Sequence, residues 1–322
     1  MKKLFATLCG LMVTAALILL GPHRVQLSDD QTGDAELAAF IHDHAPQGAH
    51  NVTGFVIAGD KPTFARLGAD ANTEIEIGSI TKTFNAELLR QAVARGDVSL
   101  DTRVSEIIDT QGAPIGEATL ASLANHEAGL PRNPGLDPLA SITERNPYLD
   151  VSRQDIFDMA LAAKLKNQGT QTYSNLGAAL LGQLLAEKAG KPWEELVRES
   201  IFVPLEMTDS YVAVPGTASD APQGFNQRGR LTANWEMDGY APAGAIRSTP
   251  ADMAKFTTHV MTHGVPEYTW KQEEEYISHN GGTGGFRSML VFDPAGKQAA
   301  FVNTDSSVWV NQLGKDMLSW KP

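Results

Sequence analysis

The stretch "TEIEIGSITKTFNAELLRQA", residues 73–92, holds a change of rhythm. "TEIEI" alternates apolar and polar, as an extended run does, and Gly78 breaks it. From Ile80 onward, Ile80, Phe84, Leu88 and Val93 follow helical spacing, and Gly96 ends the helix. Ser79 therefore stands at a helix N-terminus, where free backbone N–H groups and the positive dipole end would stabilise an oxyanion. Lys82 lies one turn on, on the same face. An amine there can accept the hydroxyl proton if burial or neighbours lower its pKa. The plainer reading makes Ser79 an N-cap and Lys82 a solvated first-turn residue. Ser-x-x-Lys alone favours the cap, because residue frequencies give on the order of one match per chain of this size.

Working outward, strands lie at both ends of the chain and helices between. Asp34–His44 reads as a short amphipathic helix. "NVTGFVIAGDKPTFARLGAD" reads as two strands, Val52–Ala58 and Thr63–Leu67, around a turn. "SMLVFDPAGKQAAFVN" is a second hairpin, Ser288–Asp293 and Gln298–Asn303, followed by a helix near Val308–Leu318. From about Leu100 to Tyr240 helical pieces and loops dominate. "SNLGAALLGQLLAEKAGKP" stops with Gly190 and Pro192, and "STPADMAKFTTHV" opens with Thr249 as cap and Pro250 at the first position. The expected fold is α+β: an antiparallel sheet built from N- and C-terminal segments and flanked by helices, with an inserted, mostly helical lobe. Residues 34–100 and 241–322 would form the α/β lobe, residues 101–240 the helical lobe, and the site a cleft between them.

The N-terminus, "MKKLFATLCGLMVTAALILLGPHR", places two lysines before an uncharged run from Leu4 to Gly21. Residues 1–21 read as an export signal or an uncleaved anchor, with no small-x-small cleavage site before Pro22 to decide. Either way Lys2 and Lys3 stay inside and the rest lies outside, membrane-anchored or secreted. Residues 22–33 read as a polar tether. The lone Cys9 lies within the apolar run, so the exported part uses neither disulfide nor thiol chemistry. A formal charge of −12 argues against nucleic acid and against an anionic membrane face.

Two further clusters carry chemistry. In "TQTYSNLGAAL", Tyr173, Ser174 and Asn175 precede a helix. A tyrosine hydroxyl beside a cationic lysine can shuttle a proton, and Asn175 can hold a substrate amide. In "YISHNGGTGGFRSML", glycines surround Asn280 and Thr283 on the approach to a strand, where glycine marks a bulge or a close backbone approach to a ligand. His279 would point a polar ring at whatever approaches.

In this order the three clusters resemble the serine β-lactamase and penicillin-binding-protein superfamily, and within it the class C β-lactamase-like branch of D-alanyl-D-alanine carboxypeptidases, D-aminopeptidases and esterases. Its motifs, Ser-x-x-Lys, Tyr-x-Asn and Lys/His-x-Gly, match Ser79–Lys82, Tyr173–Asn175 and His279–Gly281. "IFVPLEMTDSY" and "APAGAIRSTPADMAKF" resemble two of its connecting segments. The resemblance covers roughly residues 34–320. It implies that Ser79 is the nucleophile, that Lys82 and Tyr173 share the proton work with the base unassigned between them, and that Asn175 orients the substrate amide. It also implies that the N–H groups of Ser79 and Gly282 form an oxyanion hole. The acyl donor, with no cofactor or metal implied, would be a cell-wall-type D-Ala peptide, a D-amino-acid amide, an ester or a β-lactam, taken by a monomer.

Two departures stand out. His279 replaces the lysine common in true β-lactamases; a histidine is largely neutral near pH 7 and clamps a substrate carboxylate less firmly, so peptides, amides or esters are favoured. Arg287 could supply a cation instead, if it faces the cleft. The family's His-Thr-Ser-Gly-Leu appears as His126-Glu127-Ala128-Gly129-Leu130, with His126 read as structural. Two other readings compete. One is a metal site at His42, Asp43, His44 and His50, although His-x-His on a helix points its rings apart. The other is an envelope-tethered binding module whose site has decayed. An α/β-hydrolase is excluded by the absence of Gly-x-Ser-x-Gly.

Overall fold

A computed structural model describes residues 25–321 apart from Asp60, Ala71, Ser141, Ile142 and Glu144, together with Gly10, Met12 and Thr14. The expected export segment, residues 1–21, lies almost wholly outside the described residues. No helix among those described is long and apolar enough to cross a membrane.

Strands β1 (Gln31–Gly33), β2 (Val52–Ile57), β3 (Pro62–Leu67), β7 (Lys271–Gln272), β8 (Ile277–Gly282), β9 (Arg287–Phe292) and β10 (Ala299–Thr304) form one antiparallel sheet. Their order is β1-β3-β2-β10-β9-β8-β7. The two ends of the chain meet in its centre, where β2 pairs with β10 from Val52↔Thr304 to Ile57↔Ala299. Both faces of these strands are covered, so they read as continuous apolar runs. Val52, Val56, Ala300 and Val302 pack with Leu37, Ile41, Leu313 and Met317 of the two terminal helices, Ala35–His44 and Asn311–Ser319. Phe55, Ile57, Phe301 and Leu290 turn the other way, into the larger core. There they meet helices Thr81–Arg95, Asn175–Ala189 and Pro250–His263. Asn85 ties this body together. Its amide donates to Ala178 O (3.1 Å) and Pro242 O (3.0 Å), while its carbonyl accepts from Trp193 Nε1 (2.8 Å), leaving no buried amide group unpaired.

A small second sheet, in the order β4-β6-β5, joins β4 (Ile75–Glu76), β6 (Ile246–Ser248) and β5 (Tyr211–Val212). It buries Arg247 completely. The guanidinium donates to Glu74, to Glu76 Oε1 (2.8 Å) and to Pro222 O (2.8 Å). Such a cluster is tolerable in the interior only because each charge finds a partner.

Two expectations need correction. The segment read as a tether contributes an edge strand: Gln31–Gly33 pairs with Ala65–Leu67 of β3. Ser28 N and Gly68 N add main-chain bonds to His50 O and Asp30 O. An edge strand of three residues is held by its backbone and needs no apolar alternation. Second, residues 277–282, taken as the approach to a strand, are themselves strand β8, paired on both sides.

Strand β8 also lies directly on the turn that precedes helix Thr81–Arg95. A Cβ at Gly281 would sit 2.0 Å from Ile77 O, and one at Gly78 would sit 2.6 Å from Gly282 N. Gly78 has φ 54°, a second reason for glycine there. We expect Gly281→Ala to force the strand off the turn, costing about 1–3 kcal/mol and lowering Tm by several degrees. An unchanged Tm would show that strand and turn part freely.

Candidate active site

Ser79 sits in a single 3₁₀ turn, Gly78–Ile80, that leads into helix Thr81–Arg95. Neither the turn nor the helix has a side-chain N-cap bond, so the Ser79 hydroxyl is not spent on capping. Instead its Oγ accepts from Lys82 Nζ at 3.0 Å and from the Tyr173 hydroxyl at 2.7 Å. Lys82 is 1% exposed, not a solvated first-turn residue. Lys82 Nζ also donates to Ala243 O, at 2.6 Å. Burial pulls the amine well below its ordinary pKa, and the neighbouring Tyr173 only partly opposes this.

Tyr173 and Asn175 flank the residue that starts their helix. Ser174 accepts from Gly177 N (2.9 Å) and donates to Pro131 O (2.7 Å), turning inward as the cap. Its neighbours on either side line the cavity. Burial alone would raise the Tyr173 phenol; the charges of Lys82 and Arg132 and the bonds to Lys82 and Ser79 outweigh it and lower the pKa. Asn175 Nδ2 donates to Asn133 Oδ1 at 2.6 Å, and its own Oδ1 is buried with no partner among the described residues. A buried acceptor left open at a cleft wall suits a donor brought by a ligand.

His126 supports this arrangement from behind. Its Nδ1 accepts from Ser174 N (3.2 Å), and its ring lies 4.6 Å from that of Tyr173. Burial, with the Lys82 charge and His279 nearby, pushes its pKa down to about 3.

Ser79, Tyr173, Asn175, Asn280 and Gly282 line one cavity of about 480 Å³. The close fit of β8 on the Ser79 turn brings Gly282 to it, and a Cβ at Gly281 would crowd Ser79 N at 3.3 Å. His279 is not in this cavity. Successive residues of a strand face opposite ways, so while Gly282 lines the Ser79 cavity the His279 ring borders an adjoining one of about 360 Å³, shared with Tyr173. Its Nδ1 donates to Asn280 O at 2.8 Å. Burial and then the Lys82 charge push its pKa down to about 4, so it carries no charge at neutral pH.

Arg287 does face the cleft. So do Arg132, Tyr148 and Trp235, which the motif reading missed. Arg132 lies 5.1 Å over the Tyr173 ring, and its one sequence signal was a basic residue in "GLPRNP". Trp235 is fixed through Trp235 N, which donates to Glu76 Oε1 at 2.8 Å, so the buried Arg247 cluster reaches the cavity wall. The histidines weighed as a metal site go to separate partners. His42 is near Asp29 and Asp43, His44 donates to Phe40 O, and His50 pairs with Asp305. No metal-ligating cluster of three occurs among the described residues.

Comparison with known proteins fits this geometry. The family model described as Beta-lactamase matches residues 38–269. D-alanyl-D-alanine-carboxypeptidase/endopeptidase AmpH of Escherichia coli K12 is 28% identical over 266 residues, covering 76% of this chain and 66% of AmpH. A β-lactamase of Lysobacter lactamgenus is 26% identical over 284 residues, covering 80% of this chain and 66% of that protein. The chain thus spans just under two thirds of the length of these relatives. The crystal structure of a β-lactamase/D-alanine carboxypeptidase from Yersinia pestis superposes with a TM-score of 0.70 at 19% identity, over 88% of this chain and 100% of that one. The fold is therefore that of the class C β-lactamases.

The depressed histidines make stability pH-dependent. Unfolded, both take up a proton near pH 6.5; folded, His126 and His279 resist until about 3 and 4. The stability they contribute is whole above pH 6.5 and is lost as pH falls toward those values. Chemical denaturation from pH 7.5 to 4.5 should show His279→Asn falling less steeply than wild type, by about one proton. Parallel curves would mean that His279 is not held neutral by the fold.

Proposed function

The chain belongs to the β-lactamase family, and from that premise we propose that it is a serine hydrolase acting through a covalent acyl-enzyme. The observation that carries this reading is the Ser79 oxygen, bonded at once to Lys82 Nζ and to the Tyr173 hydroxyl inside a cavity.

Lys82 and Tyr173 form a coupled pair, best treated as one titrating unit. Ammonium with phenolate, and amine with phenol, hold the same number of protons. Either form puts one basic lone pair within hydrogen-bond reach of Ser79 Oγ. The pair takes the serine proton as Oγ attacks the carbonyl carbon, and the N–H groups of Ser79 and Gly282 receive the developing oxyanion. The proton then passes to the leaving nitrogen or oxygen as its bond to the carbonyl carbon breaks, leaving Ser79 acylated. Water, deprotonated by the same pair, attacks the ester carbonyl carbon; the bond to Ser79 Oγ breaks, the pair returns the proton to Oγ, and the acid is freed. Asn175, with its open carbonyl, holds a substrate N–H.

The favoured substrates are peptides, amides or esters. A neutral His279 turned into the next cavity offers no charge to a carboxylate on the leaving side of the scissile bond, which β-lactams and peptides ending in D-Ala both carry, so donors without it are favoured. The basic-then-apolar N-terminus supports action outside the cytoplasm.

Intact-mass spectrometry of residues 25–322 after exposure to a penicillin and, separately, to an activated phenyl ester tests the reading. The ester should add one acyl group to wild type and none to Ser79→Ala. Tyr173→Phe should lower turnover by about 10²–10⁴. A stoichiometric penicillin adduct that is rapidly hydrolysed would move the substrate to β-lactams. No adduct and no consumption of either reagent would leave the binding-module reading in its place.

A further inference from the structure

Past Trp235, Thr283 and Arg287 the Ser79 cavity continues into another of about 450 Å³. Arg132 and Arg287 line the first; Arg145, Arg228 and Arg287 line the second. Among the described residues no aspartate or glutamate lines either one. In a chain of formal charge −12, a cleft whose charged lining residues, among those described, are all arginines reverses the sign of the rest of the surface.

The arginines differ in what they touch. Arg145 already donates to Asp137, at 3.0 Å. Arg228 is exposed at the rim. Arg287 stands where the cavities join, bonded only to main-chain carbonyls: its Nη1 donates to Thr283 O (2.5 Å) and Phe286 O (2.7 Å). Its guanidinium lies 4.8 Å over the Trp309 ring, and its Nε is buried with no partner among the described residues. Carbonyls satisfy donors without neutralising charge. Burial draws the pKa down only to about 10, so the group stays cationic at neutral pH. A guanidinium fixed in place, partly dehydrated and facing no carboxylate is built for a ligand anion.

The proton path says which part of a substrate meets it. The leaving group takes its proton from the Lys82–Tyr173 pair and so departs on the Tyr173 side, toward the cavity that His279 borders. The acyl chain extends the other way, toward Arg287. We infer that Arg287 reads a carboxylate on the acyl side of the scissile bond, with Arg228 drawing that charge in from the rim. The preferred acyl donors are acidic ones. This rests on the acyl-enzyme reading and narrows its substrate class.

The test compares kcat/KM for two phenyl esters of N-acyl-D-alanine, one N-glutaryl and one N-pentanoyl, matched in length and differing by the terminal carboxylate. At low salt wild type should favour the glutaryl ester by at least about tenfold. Arg287→Gln should bring the ratio close to one, with Arg287→Lys between. Arg228→Gln should reduce the ratio less, and only at low salt. The ratio is read within each variant, so partial misfolding does not mimic the result. A wild-type ratio near one, or a ratio unchanged in Arg287→Gln, overturns the inference while leaving the acyl-enzyme intact. Failure of both esters to acylate wild type overturns the two readings together.

Discussion

Two stretches of backbone touch where no side chain fits: Gly281 and Gly282 of strand β8 against Ile77 and Gly78 of the turn before helix Thr81–Arg95. That contact sets the distance between the sheet and the helix. The helix carries Ser79 and Lys82, and the strand carries Gly282, so one steric constraint fixes the Ser79 turn relative to Gly282. It also makes the geometry independent of any flexible side chain. The rest of the cavity is arranged around it: Ser174 caps the helix that presents Tyr173 and Asn175, and His126 braces both from behind.

The protein treats its buried cations in three ways. Arg247 is surrounded by Glu74, Glu76 and a carbonyl, and its charge is cancelled where it stands. Lys82 has no bonded carboxylate among the described residues, only a hydroxyl, a carbonyl and a phenol beside it, so burial pushes it toward the neutral form. Arg287 is intermediate, held by carbonyls and still charged. Neutralised charge holds the scaffold, suppressed charge lies beside Ser79, and uncompensated charge faces the cleft. The first also serves the third, since Glu76, paired with Arg247, anchors Trp235 at the wall that Arg287 shares.

What could be read in advance follows from how local each determinant is. The hairpins at both ends were legible because four- to six-residue apolar runs bounded by turns require only a covered strand. Caps at Thr249, Gly96 and Gly190 were legible because a cap is decided within four residues. Strands β1, β5, β6 and β7 were missed because two or three residues held by main-chain bonds leave no pattern. In the site, Ser79 and Lys82 were legible as a helical turn. Arg132, Tyr148 and Trp235 reach the cavity from loops that only tertiary packing brings in. The outward turn of His279 had a signal that went unused: once residues 277–282 are a strand, His279 and Gly282 must face opposite ways.

The pairing of β2 with β10 sets the order of events in the life of the chain. The seam between the N-terminal and C-terminal strands cannot close until residue 304 is available, because β2 waits for β10. A ribosome making this protein extrudes nearly all of it before the scaffold can lock. Until the C-terminal strand is in place, the chain is a set of separate hairpins and helices with no seam to join them.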